Sequence, residues 1–156
     1  MAFSGTNDYI TGRRPAKIPS GPEICAMRFA LAMAAGDLAV NTIGQIGVLP
    51  AGCVPVDVLV DGTDMDSGAA AMVLQAGIWD GASANLSTDA ADGGKHWGVT
   101  AAVNTDFQQR LTPNGNAMAS VQPSNVDRKI GVKVATAPTT PVAGTLGVTL
   151  LYRNAG

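Results

Sequence analysis

From residue 23 onward, large apolar side chains recur at every second position. In EICAMRFALAM, Cys25, Met27, Phe29, Leu31 and Met33 fall on one parity, and Ala26, Arg28, Ala30 and Ala32 on the other. Side chains of a strand point alternately to its two faces, so this pattern predicts a half-buried strand; the Ala, Met and Leu content also suits a helix. NTIGQIGVLPAG sets Thr42, Gly44, Ile46 and Val48 against Ile43, Gln45 and Leu49, and its Pro50-Ala51-Gly52 predicts a turn. In the next stretch Val54, Val56, Val58 and Val60 alternate with Pro55, Asp57, Leu59 and Asp61. This is the most regular strand of the chain, and Pro55 near its start marks a sheet edge or a bulge. AAAMVLQAGIW predicts a further strand, with Met72, Leu74, Ala76 and Ile78 on one face.

The pattern then weakens. Residues 80–96 are small and polar, with a short helix expected at SANLSTDAAD, ended by Gly93-Gly94. WGVTAAVNTDFQQRL fits two readings, because Val99, Val103 and Phe107 form a helical stripe while the β-branched residues suit strands. NAMASV, RKIGVKVATA and GTLGVTLLYR read as strands, the last two burying Ile130, Val132 and Val134, then Leu146, Val148, Leu150 and Tyr152. The proline-rich APTTPVAG between those two is a loop. Roughly eight short strands with frequent turn signals and no alternating helices predict an all-β fold, an antiparallel β-sandwich of jelly-roll-like type.

Residues 1–22 differ from the rest. They hold three prolines, three glycines and few large apolar side chains, which predicts an extended N-terminal arm outside the core and dispensable for folding. Residues 23–156 then form a single domain, consistent with a chain of 156 residues. Arg13, Arg14 and Lys17 against Asp8 leave the arm at +2 and the remaining residues at −4. Such an arm either reaches for a partner or is a solvated terminus. Tyr9, Arg13, Arg14, Pro15 and Lys17 are its candidate partner-binding residues.

Composition narrows the function classes. Charged residues make up only 14% of the chain, against roughly 25% in ordinary soluble proteins, which suits a surface that packs against other proteins. The net charge of −2 gives no general attraction to nucleic acid or anionic membrane. ICAMRFALAMAAGDLAV is interrupted by Arg28 and Asp37 and is too short for a membrane span. The first residues lack the apolar core of a signal peptide, so synthesis in a cytoplasm is expected. Cys25 and Cys53 form no C-x-x-C pair and are expected to be buried free thiols.

Candidate chemistry is sparse. Asp57, Asp61, Asp64 and Asp66 cluster in VDVLVDGTDMDSG, but a calcium loop needs a third ligand where Gly68 stands and a closing Glu, and Glu23 is the sole Glu of the chain. A turn whose Asp side chains cap backbone N–H groups is the expected role. His96 is the single histidine and is expected in a loop beside Trp97, with no nucleophile pattern around it. No catalytic residue, cofactor site or metal site is therefore assigned. Trp79 and Trp97 fit two readings, packing in the core or an interface or, if exposed together, a stacking platform for a sugar.

FALAMAAGDLAVNTIGQIGVLPAGCVPVDVLVDGTDMDSG and IGVKVATAPTTPVAGTLGVTLLYRNA resemble the head-decoration, or cement, proteins of tailed bacteriophages. The shared features are a strand, an LPAG turn, a valine strand, a D-x-D-S-G turn and a closing GTLGVTLLYR strand. The resemblance implies a jelly-roll-like domain, commonly a homotrimer, that sits on the capsid exterior of a virion and clamps neighbouring major capsid protein subunits. It implies no catalysis. A carbohydrate- or receptor-binding β-sandwich of a phage particle is the alternative.

Overall fold

The computed structural model describes residues 2–155; Met1 and Gly156, the outer bounds of the expected arm and domain, lie outside the described residues. Among the described residues nine strands run in the order β1 (Ile24–Met33), β2 (Ile43–Leu49), β3 (Cys53–Gly62), β4 (Val73–Trp79), β5 (Gly98–Val99), β6 (Phe107–Arg110), β7 (Thr112–Pro113), β8 (Arg128–Thr136) and β9 (Gly144–Asn154). Among the described residues the only helices are three 3-10 turns, at Ala35–Leu38, Ala90–Asp92 and Met118–Ser120.

The strands form two antiparallel sheets, one in the order β1-β9-β3-β6 and the other β2-β8-β4-β5-β7. Successive strands β1 to β4 alternate between the sheets, so the first half of the chain is wound against the second. This is a jelly-roll-like sandwich. Its inner faces carry the side chains that the alternation predicts: Phe29, Leu31 and Met33 from β1, Leu74, Ala76 and Ile78 from β4, Ile130, Val132 and Val134 from β8, and Leu146, Val148, Leu150 and Tyr152 from β9.

Three register shifts interrupt the alternation, one of them on β8, where Ala135 is extra between Val134 and Thr136 opposite Leu74 and Val73. On β3, Pro55 faces Tyr152 and Asp57 faces Leu151, leaving Val56 as an extra residue. The valine row expected to share one face is therefore split: Val58 and Val60 point into the core, Val54 shares the outer face with Arg153, and Val56 is 39% exposed. On β2, Ile46 is the extra residue between Gln45 and Gly47. Both roles expected of Pro55 are met: it adjoins the bulge, and β6 pairs with β3 only from Leu59 to Gly62, leaving Pro55 on an unpaired edge.

Two other expectations are corrected, and one open reading is decided in favour of strands. NAMASV contains a 3-10 turn in place of a strand, its first turn held by Ser120 N–H donating to Asn116 O and Ala117 O. The helix expected at SANLSTDAAD shrinks to Ala90–Asp92, capped by Asp89 at its start and by Gly93, at φ 102°, at its end. WGVTAAVNTDFQQRL resolves into two short strands, β5 and β6, on different sheets.

The N-terminal segment is the largest correction. Residues 7–14 are wound into successive turns, not extended, because Asn7 Oδ1 accepts the N–H groups of Tyr9 and Ile10 while Arg14 N–H donates to Asp8 O. This segment also belongs to the core boundary. β1 and β2 are edge strands of opposite sheets, and Asn7 Nδ2 donates to Ala30 O on β1 and Ile46 O on β2, closing the open side of the sandwich. Phe3, Tyr9 and Ile10 pack against the core there, and buried Asp37 accepts from both Ser4 N–H and Ser4 Oγ.

Candidate interaction surface

The aspartates that mark the end of β3 are distributed among separate structural tasks. Asp57 pairs with Arg110, Asp61 with Arg28, and Asp64 Oδ1 accepts Asp66 N–H. Asp66 is buried and accepts N–H groups from Gly68, Thr139 and Thr140, stitching the β3–β4 turn to the β8–β9 loop. Burial pushes its carboxyl up, but the N–H groups of Thr140, Thr139, Gly68 and Ala71 outweigh that and hold it below the ordinary aspartate value. Among the described residues no group of three or more His, Cys, Asp or Glu is placed to hold a metal ion.

His96 is half-buried and meets Asn114 Nδ2 at 3.0 Å through Nε2. Burial lowers its pKa, and Lys95 adds to that effect against an opposing hydrogen bond with the Gly98 backbone. Cys25 and Cys53 are free and buried. Burial raises the Cys53 thiol, reinforced by Cys25 and Asp127, which keeps it protonated and unreactive. The tryptophans are not a platform: Trp97 is fully buried and Trp79 nearly so, their indole N–H groups donating to Asp92 O and Ser83 O.

The two outer faces of the sandwich differ. The face of the β2-β8-β4 sheet is roofed by the chain itself, because Leu86 of the 80–97 segment packs with Ile43 and Trp79 into a second hydrophobic cluster. Gly77 and Gly131 let this roof approach the sheet, with Leu86 near both. Among the described residues, the face of the β1-β9-β3 sheet carries no second hydrophobic cluster of this kind and is approached only near Val54, by the 113–123 segment. It presents Ala26, Ala30, Ala32 and Thr149, crossed by the Arg28–Asp61 pair, whose Nε to Oδ1 distance is 3.0 Å. Gly147 lies beneath this pair, where a Cβ would collide with the Asp61 carboxylate. Pairs this exposed contribute little stability, about 0–1 kcal/mol.

One end of the same sheet gathers exposed apolar and basic groups. Ile24 and Ile18 are each 57% exposed there, and Ile24 stands opposite Arg153 on β9. Residues 17–19 are held at this end because Tyr152 Oη donates to Lys17 O and Asn154 Nδ2 donates to Pro19 O at 3.3 Å. Burial raises the Tyr152 phenol well above its ordinary value. Beside it, a groove of ≈ 580 Å³ runs between Val54–Asp57 of β3 and the segment from Pro113 to Pro123.

The expected partner-binding residues of the arm divide by position. Arg13, Pro15 and Lys17 are exposed, and Arg14 is stacked over the Tyr9 ring at 5.5 Å. Tyr9 itself is turned inward against Phe29. Sequence reasoning missed the 113–123 wall of the groove, since NAMASV reads as a strand and carries no charge. Its signal is the Pro113, Gly115 and Pro123 punctuation around an apolar Met118 and Val121.

No protein-family model matches the chain, and no curated protein matches it. Solved structures do. A chain of the structure described as the cyanophage Pam1 capsid asymmetric unit is 15% identical with a TM-score of 0.53, covering 89% of this chain and 90% of that one; it shares the fold. A chain of the capsid of Ralstonia phage GP4 is 27% identical with a TM-score of 0.72, covering 96% of both chains. Over nearly its whole length, then, this jelly-roll-like chain is similar in fold and sequence to a chain of the Ralstonia phage GP4 capsid.

Proposed function

We propose that this protein is a non-enzymatic structural component of a phage virion, made in the host cytoplasm, that binds the outside of an assembled capsid and stabilises it by bridging neighbouring major capsid protein subunits. The observation that carries the reading is the near full-length similarity to a chain of the Ralstonia phage GP4 capsid. The low charge content and the outer face of the β1-β9-β3 sheet support it, since both suit a surface meant to be covered by protein. Assembly as a homotrimer goes with this reading, and the exposed Arg13, Arg14, Pro15 and Lys17 are the arm residues available for contact.

Co-sedimentation with purified candidate phage heads tests it, together with a size measurement in solution. Saturable binding to intact heads, and a rise in their melting temperature on binding, are expected. A strict monomer that never binds particles would contradict the role.

A further inference from the structure

The groove beside β3 has an apolar interior and a cationic rim. Val54, Val56, Met118 and Val121 line it, and Arg110 and Arg153 stand at its edges. Arg110 is paired with Asp57, whereas Arg153 is exposed and has no carboxylate partner among the described residues. Among the described lining side chains, two guanidinium groups stand against one carboxylate, a surplus of positive charge. The volume is that of a site taking a few side chains.

Backbone pairing is not how this groove is filled. β6 pairs with β3 only from Leu59 to Gly62, so no named strand flanks Val54–Val58 on that side. That stretch is nevertheless unfit to template an added strand: Pro55 has no N–H, Val56 is bulged out of the ladder, and Val58 N–H already donates to Asp57 Oδ1 at 2.9 Å. The occupant must enter by its side chains. Its charge is constrained as well, because the basic Arg13, Arg14 and Lys17 segment of a second copy would meet like charge at the rim.

We propose that the groove receives a short acidic segment of a partner polypeptide, with a carboxylate on Arg153 and an adjacent apolar side chain among Val54, Val56 and Met118. The chemistry stands on the groove alone; that the partner is a capsid subunit rests on the function proposed above.

A synthetic array of random dodecapeptides graded in net charge tests the chemistry. The wild-type protein is expected to select acidic peptides containing an apolar residue, and both Arg153→Glu and Val56→Asp are expected to reduce that binding by about tenfold. Circular dichroism and the urea midpoint confirm that each variant is folded. No binding, no acidic bias, or a bias unchanged in Arg153→Glu overturns the proposal. The same variants on phage heads separate the two readings. If wild type and both variants sediment equally, the groove is not the contact; if the array selects acidic peptides while no protein sediments with heads, the groove stands and the capsid role falls.

Discussion

The ring of Phe29 on β1 lies against the backbone of Gly47 on β2, leaving no room for a Cβ between them. A side chain at residue 47 would have to displace a ring at the centre of the packed core. Gly47→Ala is therefore expected to lower stability by about 1–3 kcal/mol, read as a shift of the urea midpoint at constant slope. Gly36→Ala is the control. A Cβ there meets open space, and a change within about 0.5 kcal/mol is expected.

Asn7 joins the edges of both sheets and shapes its own turn. Its amide donates to Ala30 O and Ile46 O and accepts from Tyr9 N–H and Ile10 N–H, so Asn7→Ala leaves several partly buried backbone groups without partners. A loss of about 1–3 kcal/mol is expected. Limited proteolysis distinguishes this variant, because cleavage within residues 7–17 should accelerate before global unfolding does. An unchanged digestion pattern would show that Tyr9, edge-on to Phe29 at 4.8 Å, holds the segment without Asn7.

Arg128 ties two distant pieces of chain, at Cys53 and Asp92, to the nearby Gln122. Its side chain is 11% exposed, pairs with Asp92 at 3.0 Å and donates to Gln122 O and Cys53 O. Replacing it by Ala leaves the Asp92 carboxylate with Ser87 Oγ as its remaining side-chain donor and frees the Gln122 and Cys53 carbonyls, and is expected to cost about 1–3 kcal/mol. Amide exchange should rise first around Ala90–Asp92 and residues 113–123, one wall of the groove, while β1 and β9 stay protected.

Acid should destabilise the fold in two stages. Both His96 and Asp66 are held below their ordinary pKa values, so the fold prefers the deprotonated form of each. Such a group contributes its full stability above its unfolded pKa, and the contribution is lost as pH falls through the folded value. Melting temperature is thus expected to be flat near pH 8, to decline below about 6.5 from His96, and to fall again below about 4 from Asp66 and from Asp80, whose carboxyl the Ser83 and Ala82 N–H groups likewise hold low. His96→Gln should flatten the first decline. Asp66→Asn should melt lower at neutral pH and show a shallower second decline.

The strands that carry the core were legible because a sheet buried on one face imposes period two on its residues, as Ile130, Val132 and Val134 or Leu146 to Tyr152 show. The β3 bulge was announced by Pro55, whereas that at Ile46 was not, since Ile46 is a β-former like its neighbours and the extra residue is defined only by the partner strand. The N-terminal segment misled for a related reason. Its proline, glycine and polar content describes a chain lacking regular structure, and that is true; yet Asn7 and Ser4 find their partners on β1, on β2 and in the Ala35–Leu38 turn, contacts 23 to 39 residues away that no local pattern encodes. The tryptophans were open to either reading, and the Ile43–Trp79–Leu86 cluster shows that a loop of small residues can bury an indole when glycines let it lie flat on a sheet.

The bulge at Val56 makes β3 a strand with a spare link. Pro55 points inward and Asp57 outward, so the parity on either side already agrees once Val56 is left out. A chain lacking that one residue would keep every core side chain on its present face and would simply run straight. The insertion is therefore neutral with respect to the interior and consequential only for the exterior, where it bends the sheet margin and sets a valine at the mouth of the groove. Gain or loss of a single codon at this point would remodel what the protein presents to its surroundings without asking the core to repack.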